Sequence, residues 1–395
     1  MHVVHLVDVL PPGIGGIESA LATLLNLMPD VRFTVVTPRH SGGQGYPWGS
    51  HVNVYELDAG DLVQRLVSPV LPARLRPASS LMAQLVHEVS RRRLAASMDA
   101  DLVHMHSFPL FRFFANLRDK YPNVVTSYLV ERLRAFNRLK RPLTFTDHSL
   151  FGGSRRQFES IQSGLLVERL ENIVCVERSG KVNVDAYARE RGLGIRSWWI
   201  PNPIDTERFR PGPLPSSSRL IIGYAGRWEK RGTEEIIGLT RALPDWAELR
   251  IALAVRSDED LRSALSLERP GVKVFVNLPN SSMPEFYNSL HLLLDPWSFG
   301  APRTALEAMS CGRVVVRWFS DETDVNPPEI PPEVSPTVRA RGAQELFAHL
   351  SSFQDDLLLR GLGDASRALA EATYSSHRIV DAYRAVYGVV TGTPL

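Results

Sequence analysis

Arg227, Lys230 and Arg231 crowd into Gly226-Arg-Trp-Glu-Lys-Arg-Gly232, directly after the apolar run Leu220 to Tyr224. A guanidinium grips two phosphate oxygens and an ammonium acts as a point charge, so cations at a strand end beside a helix start suit a leaving diphosphate. A solvated charge cluster is the plainer reading of the same residues. A second stretch runs from Asp295 through Phe299, Gly300, Ala301, Pro302, Arg303 and Thr304 to Glu307, and ends at Gly312. An apolar run, a Gly/Pro turn and a helix start aim free backbone N–H groups at one point past the strand end, a recipe for holding a diphosphate. Glu307 falls one turn inside that helix, where a carboxylate can accept two ribose hydroxyls. The bland alternative is ordinary strand-loop-helix architecture.

Two further places could do chemistry. Gly15 and Gly16 stand between the first apolar run and the first helix, where glycine lets backbone approach a phosphate or sugar closely. Gly13-x-Gly15-Gly16 does not have the spacing of the dinucleotide fingerprint, which argues against a nicotinamide enzyme; the glycines alternatively only turn the chain. His104 and His106 alternate on an expected strand and so share a face. His106 is nearer the carboxyl end, where open α/β sheets place ligands, and His104 reads as core. His148 ends another strand in a similar way.

The elements that must position these residues alternate between strand and helix. Expected strands cover 2–8, 32–37, 52–56, 101–106, 124–127, 143–147 and 173–176, with helices following Gly16 and over 81–96, 111–117 and 129–140. That alternation predicts an α/β fold with a parallel sheet and helices on both faces. Pro211-Gly-Pro-Leu-Pro215 and the serines after it are the most linker-like composition. A second α/β series opens at Leu220, with strands near 249–255, 272–276, 291–295 and 313–317. Ser282-Met-Pro-Glu285 reads as a capping box opening a helix with Phe286 and Tyr287. The domains expected are therefore 1–205, 217–372 and a closing amphipathic helix over 373–395, in which Ile379, Tyr383, Val386 and Tyr387 share a face.

The totals narrow the class. At 395 residues the chain exceeds one ordinary core. A net charge of +2 gives no field for nucleic acid. The basic residues, 5 lysines against 40 arginines, carry no functional weight alone. Two distant cysteines, Cys175 and Cys311, suggest no disulfide framework and fit a reducing cytoplasm. The N-terminal stretch lacks a basic start and meets Asp8 early, unlike a secretory signal, and no long apolar run suggests a membrane span. The basic stretch 131–141 reads as an exposed face or as a surface for anionic lipid or an anionic acceptor, so membrane contact is peripheral at most.

Several motifs together carry a resemblance. Ala301-Pro-Arg-Thr-Ala-Leu-Glu307-Ala-Met-Ser-Cys-Gly312 followed by Val314-Val-Val resembles the donor signature of glycosyltransferase family 4, Glu-x7-Glu, then Ala-Met-x-x-Gly and an apolar strand. Its second glutamate falls on Glu307. Its first falls on Phe299, where the pattern is broken. Gly226-Arg227 with Lys230 and Arg231-Gly232 is similar to that family's Gly-Arg…Lys-Gly segment, whose Arg and Lys bind the β-phosphate; Lys230 and Arg231 both compete for the lysine role. Asp101-Leu-Val-His-Met-His106 resembles its Asp-x-x-His-x-His element, whose second histidine contacts the transferred sugar. Gly15-Gly16 resembles its N-terminal glycine loop, and Asn202-Pro-Ile-Asp205 its hinge.

The resemblance spans nearly the whole chain and implies the GT-B fold, two Rossmann-like domains facing a central cleft, the second holding the nucleotide. It implies sugar transfer from a nucleoside-diphosphate sugar with retention at the anomeric carbon, no metal and no cofactor. Donor contacts then fall on Gly15, Gly16, Arg227, Lys230, Arg231, Phe299, Gly300, Ala301, Pro302, Arg303, Thr304 and Glu307, and catalytic roles on His106, Arg227, Lys230 and Glu307. A phenyl ring at 299 cannot accept hydroxyl hydrogens, and a buried unpaired hydroxyl costs about 1–3 kcal/mol, which suggests a deoxy or otherwise modified donor sugar. The alternatives are a chain that keeps the fold without turnover, a nucleotide-sugar 2-epimerase, and a transferase that joins two rings through nitrogen. The acceptor, whether small molecule, polysaccharide or lipid-linked, is not written in these residues.

Overall fold

The computed structural model describes residues 1–7, 16–38, 48–57, 94, 98–106, 141–148, 167–168, 170–228, 230–255, 257–296, 301–319 and 329–393. The helices expected over 111–117 and 129–140, the strand over 124–127, and all of the helix over 81–96 except Leu94 lie outside them. So do Gly15, Phe299 and Gly300. The chain divides into two compact units, Met1–Asn202 with Ile379–Leu395, and Pro203–Arg378.

The first unit is built on a parallel sheet of seven strands: β1 (His2–Leu6), β2 (Arg32–Pro38), β3 (Val52–Leu57), β4 (Leu102–Met105), β5 (Leu143–Asp147), β6 (Asn172–Cys175) and β7 (Arg196–Trp199). Their order is β3-β2-β1-β4-β5-β6-β7, so the sequence direction reverses between β1 and β4. Every residue of β1, β4 and β6 is buried, which is why they read as predominantly apolar runs, the histidines included: both faces are covered. Helix α1 (Gly16–Asn26) buries Leu21, Leu24 and Leu25 in the core beside Phe33 and Val35. Helix α2 (Arg178–Arg191) was not expected. It is mostly polar, buries only Gly180, Asn183, Val184 and Ala188, and stops where Gly192 turns left-handed at φ 64°. From Ile379 onward the last helix brings Val380, Tyr383, Val386, Tyr387 and Val390 into this same core.

The second unit carries a parallel sheet of six strands: β8 (Leu220–Arg227), β9 (Ala247–Ala254), β10 (Val272–Val276), β11 (Leu292–Pro296), β12 (Val314–Phe319) and β13 (Thr337–Arg339), in the order β10-β9-β8-β11-β12-β13. Among the described residues, helices α3 (Lys230–Arg241), α4 (Asp258–Leu265), α5 (Met283–Asn288), α6 (Arg303–Ser310), α7 (Ala343–Leu350), α8 (Asp356–Leu369) and α9 (Ser376–Thr391) follow. Its interior forms two apolar clusters. One holds Leu249, Leu292, Val314 and Leu346; the other holds Phe286, Tyr287, Leu306, Met309 and Val315. Among the described residues no helix is long and apolar enough to cross a membrane.

Two local readings need correcting. Ser282 precedes α5, but its side chain makes no cap hydrogen bond. It already lies in a 3₁₀ turn with φ −91° and ψ −7°, not the extended conformation a capping serine needs. The Pro/Gly stretch read as a linker is pinned to the second unit. Arg313, buried to 2% exposure, donates from Nη2 to the carbonyls of Gly212 and Pro213, each at 2.9 Å, and Phe209 is fully buried. The two compact units divide between Asn202 and Pro203. Ile204 bonds the Tyr374–Ser376 segment, its N–H to the Tyr374 carbonyl at 2.8 Å and its carbonyl to the Ser376 N–H at 2.9 Å.

Candidate functional site

In the second sheet the strand order reverses between β8 and β11, which run side by side with Leu292 opposite Ile222 and Leu294 opposite Tyr224. Ligands of open α/β sheets bind beyond the carboxyl ends at such a switch point. β8 ends there in Arg227, which is exposed, and α3 begins at Lys230. A Cβ at Gly226 would lie 2.7 Å from the Tyr224 hydroxyl, so a larger residue there would have to displace that ring's end. Arg231 is in the first turn of α3.

β11 leads to α6, whose N-cap is Pro302 in extended conformation, with Ala301 before it and Arg303 and Thr304 opening the helix. The terminal N–H groups of such a helix are free for an anion. Glu307 is 4% exposed and both its oxygens are engaged. Arg303 Nε donates to Oε1 at 2.7 Å, and the Tyr287 hydroxyl donates to Oε2 at 2.9 Å. Burial and the neighbouring Glu307 charge hold the Tyr287 phenol well above its usual range, so it remains a donor. Arg303 Nη1 is buried with no partner among the described residues, which leaves donor capacity beside the helix start.

In the first sheet the reversal between β1 and β4 coincides with a cluster of imidazoles. His5 lies opposite His104, and His106 and His148 follow the ends of β4 and β5. His104 Nδ1 is 2.8 Å from the Tyr387 hydroxyl and its Nε2 is 2.7 Å from Thr146 Oγ1. The Tyr387 hydroxyl is 3.4 Å from His5 Nε2, and His5 Nδ1 is 2.8 Å from His106 Nε2. His106 Nδ1 is 3.4 Å from His148 Nε2, and the Tyr383 hydroxyl is 3.4 Å from Thr146 Oγ1. Burial holds all four rings neutral. It lowers His5 to about 3 and His148 to about 4, and puts His104 and His106 well below 6.5, where repulsion from neighbouring rings adds to it.

His106, expected to face the sugar, thus has both ring nitrogens engaged by other histidines. His148, half-buried as a residue, keeps a buried Nδ1 with no partner among the described residues. His104 is fully buried. His5 was not singled out from sequence, and Tyr287, Tyr383 and Tyr387 were read only as packing residues of their helices. The available signal was tyrosine, not leucine, on the buried stripe of the last helix. His5, His104 and His106 also bring ring nitrogens within 4.8 Å of one another, a spacing that could admit a metal ion.

The whole chain resembles several solved structures at low identity. Anabaena HepE in complex with UDP and glucose matches with a TM-score of 0.63 at 14% identity, covering 98% of this chain and all of that one. The catalytic domain of starch synthase IV from Arabidopsis thaliana, bound to ADP and acarbose, matches at 0.62 with 12% identity and 99% of each chain. A glycosyltransferase from Rickettsia africae matches at 0.61 with 12% identity and 98% of each. No family model and no curated protein sequence matches. The fold is the α/β architecture of two Rossmann-like domains that GT-B glycosyltransferases share.

Proposed function

We propose that this chain is a glycosyltransferase of the family 4 type, moving a sugar from a nucleoside-diphosphate sugar to an acceptor with retention and without a metal ion. One observation carries the reading: at the switch point of the second sheet, Arg227 ends β8, α3 and α6 begin, and the buried carboxylate of Glu307 lies one turn inside α6. Solved proteins of the same fold hold UDP with glucose, or ADP, which supports a nucleotide there.

A diphosphate is already a competent leaving group, so the protein chiefly has to stabilise the charge that develops on it. In this reading Arg227, Lys230 or Arg231 and the amides at the start of α6 do so. Glu307 anchors the ribose. With no second carboxylate assigned, the route is front-face, the departing phosphate oxygen taking the acceptor's proton. In the first unit the ligand contact falls on His148, whose Nδ1 has no partner among the described residues, with His106 acting through it. Phe299 in place of the family's glutamate points to a donor with fewer hydroxyls at that position. Two buried free thiols fit a cytoplasmic setting.

Calorimetry of the intact protein with UDP, ADP, GDP and TDP, and with their sugars, tests this. One nucleoside diphosphate should bind, and Arg227→Ala should weaken it at least tenfold. Failure of every nucleotide to bind, or an Arg227→Ala variant that binds as tightly as the parent, rejects the assignment. Phe299→Glu should then broaden donor choice toward fully hydroxylated sugars; an unchanged preference rejects the modified-donor reading.

A further inference from the structure

We infer that His148 presents an N–H at Nδ1, as the last donor of a one-way hydrogen-bond chain that starts at the Tyr383 hydroxyl. It therefore receives an acceptor oxygen of a bound ligand and does not act as a base.

The chain runs Tyr383, Thr146, His104, Tyr387, His5, His106, His148. Each hydroxyl has one hydrogen, and each neutral imidazole has one N–H and one lone pair. A hydroxyl oxygen could accept from both neighbours, but its own buried hydrogen would then lack an acceptor among the described contacts, so each internal member donates to one neighbour and accepts from the other. All links therefore point the same way, and only two arrangements exist. If the chain ran from His148 toward Tyr383, the Thr146 hydroxyl would donate to the Tyr383 oxygen. The Tyr383 hydrogen, fully buried, would then have no acceptor among its described contacts, a costly loss. In the opposite sense Tyr383 donates to Thr146, Thr146 to His104 Nε2, and His104 Nδ1–H to the Tyr387 oxygen. Tyr387 then donates to His5 Nε2, His5 Nδ1–H to His106 Nε2, and His106 Nδ1–H to His148 Nε2. The one hydrogen left over is at His148 Nδ1, the buried nitrogen with no described partner. A ligand oxygen there completes the series. Tyr383, Tyr387 and His5 are thus positioning residues, setting a tautomer several side chains away.

All four rings then carry their hydrogen on Nδ1, although free histidine in water favours Nε2–H. Nitrogen-15 NMR of the intact, ligand-free protein with labelled histidine reads this directly. The expected result is four Nδ1–H rings. Tyr387→Phe, which removes the middle link, should move His5, His106 and His148 toward Nε2–H and leave His104 bonded to Thr146. Tyr383→Phe, which removes the head, should release all four. An Nε2–H ring at His148 in the parent, or a His148 signal indifferent to Tyr387→Phe, overturns the proposal. So does tight zinc uptake at one ion per chain by the intact protein, since a metal would claim the lone pairs of His5, His104 and His106. Because no ligand is present, a failed nucleotide-binding assay would sink the transferase reading and leave this result standing.

Discussion

Arg303 and Glu307, one turn apart on α6, form an ion pair at 2.7 Å in which both side chains are largely buried, 12% and 6% exposed. Tyr287 closes the other carboxylate oxygen. On the proposed function, a ribose at Glu307 would meet a carboxylate already held in place by two protein donors and would have to use its remaining lone pairs. Glu307→Ala should cost about 3 kcal/mol, because it leaves the Arg303 charge buried without its partner. Glu307→Gln should cost less and still weaken nucleotide binding. Urea unfolding and calorimetry on the two variants separate the effects; equal stability for parent and alanine variant would count against the pair.

Acid should destabilise the first unit before carboxylates begin to titrate. The imidazoles of His5, His104, His106 and His148 have folded pKa values below the unfolded 6.5, so the unfolded chain binds more protons as pH falls. Their contribution is complete above pH 6.5 and lost on the way down toward about 4 and 3 for His148 and His5. The slope is at most about 1.4 kcal/mol per pH unit for each ring. Urea midpoints at pH 7.5, 6.0 and 5.0 should fall steadily, and an unchanged midpoint across that range would refute neutral burial.

Arg313 is a structural arginine. Its Nη2 serves the carbonyls of Gly212, Pro213 and Asn288 and the Asn288 amide oxygen, while Nε donates to the Tyr287 carbonyl. Arg313→Met strands several buried acceptors and should cost about 3 kcal/mol or more. Arg313→Lys should rescue little of that, since one ammonium cannot cover a planar fork. Limited proteolysis should show the 205–217 stretch newly cleaved in both variants. Protection equal to the parent would mean that the arginine does not pin it.

Two glycines of α8 should respond oppositely to alanine. A Cβ at Gly363 would lie 2.3 Å from the Gly312 carbonyl oxygen, and that backbone is itself committed to a left-handed turn at φ 68° ending α6. Gly363→Ala should therefore cost about 1–3 kcal/mol. Gly361 has open space around its Cβ position, and Gly361→Ala should gain roughly 0.5–1 kcal/mol from helix propensity. Melting curves of the two single variants decide this, and a stabilised Gly363→Ala protein would disprove the close approach.

The strands on which the ends of both sheets depend were legible because burial on both faces writes them as mostly apolar runs: Leu220–Tyr224 and Leu292–Leu294 are examples, and His2–Leu6 is one interrupted by histidines. Arg227 was legible for a similar reason, since it closely follows the run Leu220–Tyr224, while Glu307 was reached through the strand-turn-helix pattern and its resemblance to a family signature. Helix α2 was not, because it rests on the sheet through a few small residues and carries no apolar stripe. β7 was missed as a strand with no fully buried residue, and β13 as only three residues long. Ser282 and the prolines at 211–215 had the right composition for a cap and a linker, but a preceding 3₁₀ turn and Arg313 decided otherwise. The imidazole chain was the least readable part. His5 meets His104 only through strand pairing across about a hundred residues, and Tyr387 reaches both from the far end of the chain; no local pattern encodes register between distant strands.

During synthesis, residues 1–202 leave the ribosome well before the segment from Ile379 on. Until that segment arrives, His104 lacks its Tyr387 hydroxyl, Thr146 lacks Tyr383, and the apolar face around Phe33 and Leu25 lies bare. The first half of the chain to be made is thus the last to be finished, and a nascent chain stalled before residue 379 offers an exposed core for chaperones to hold.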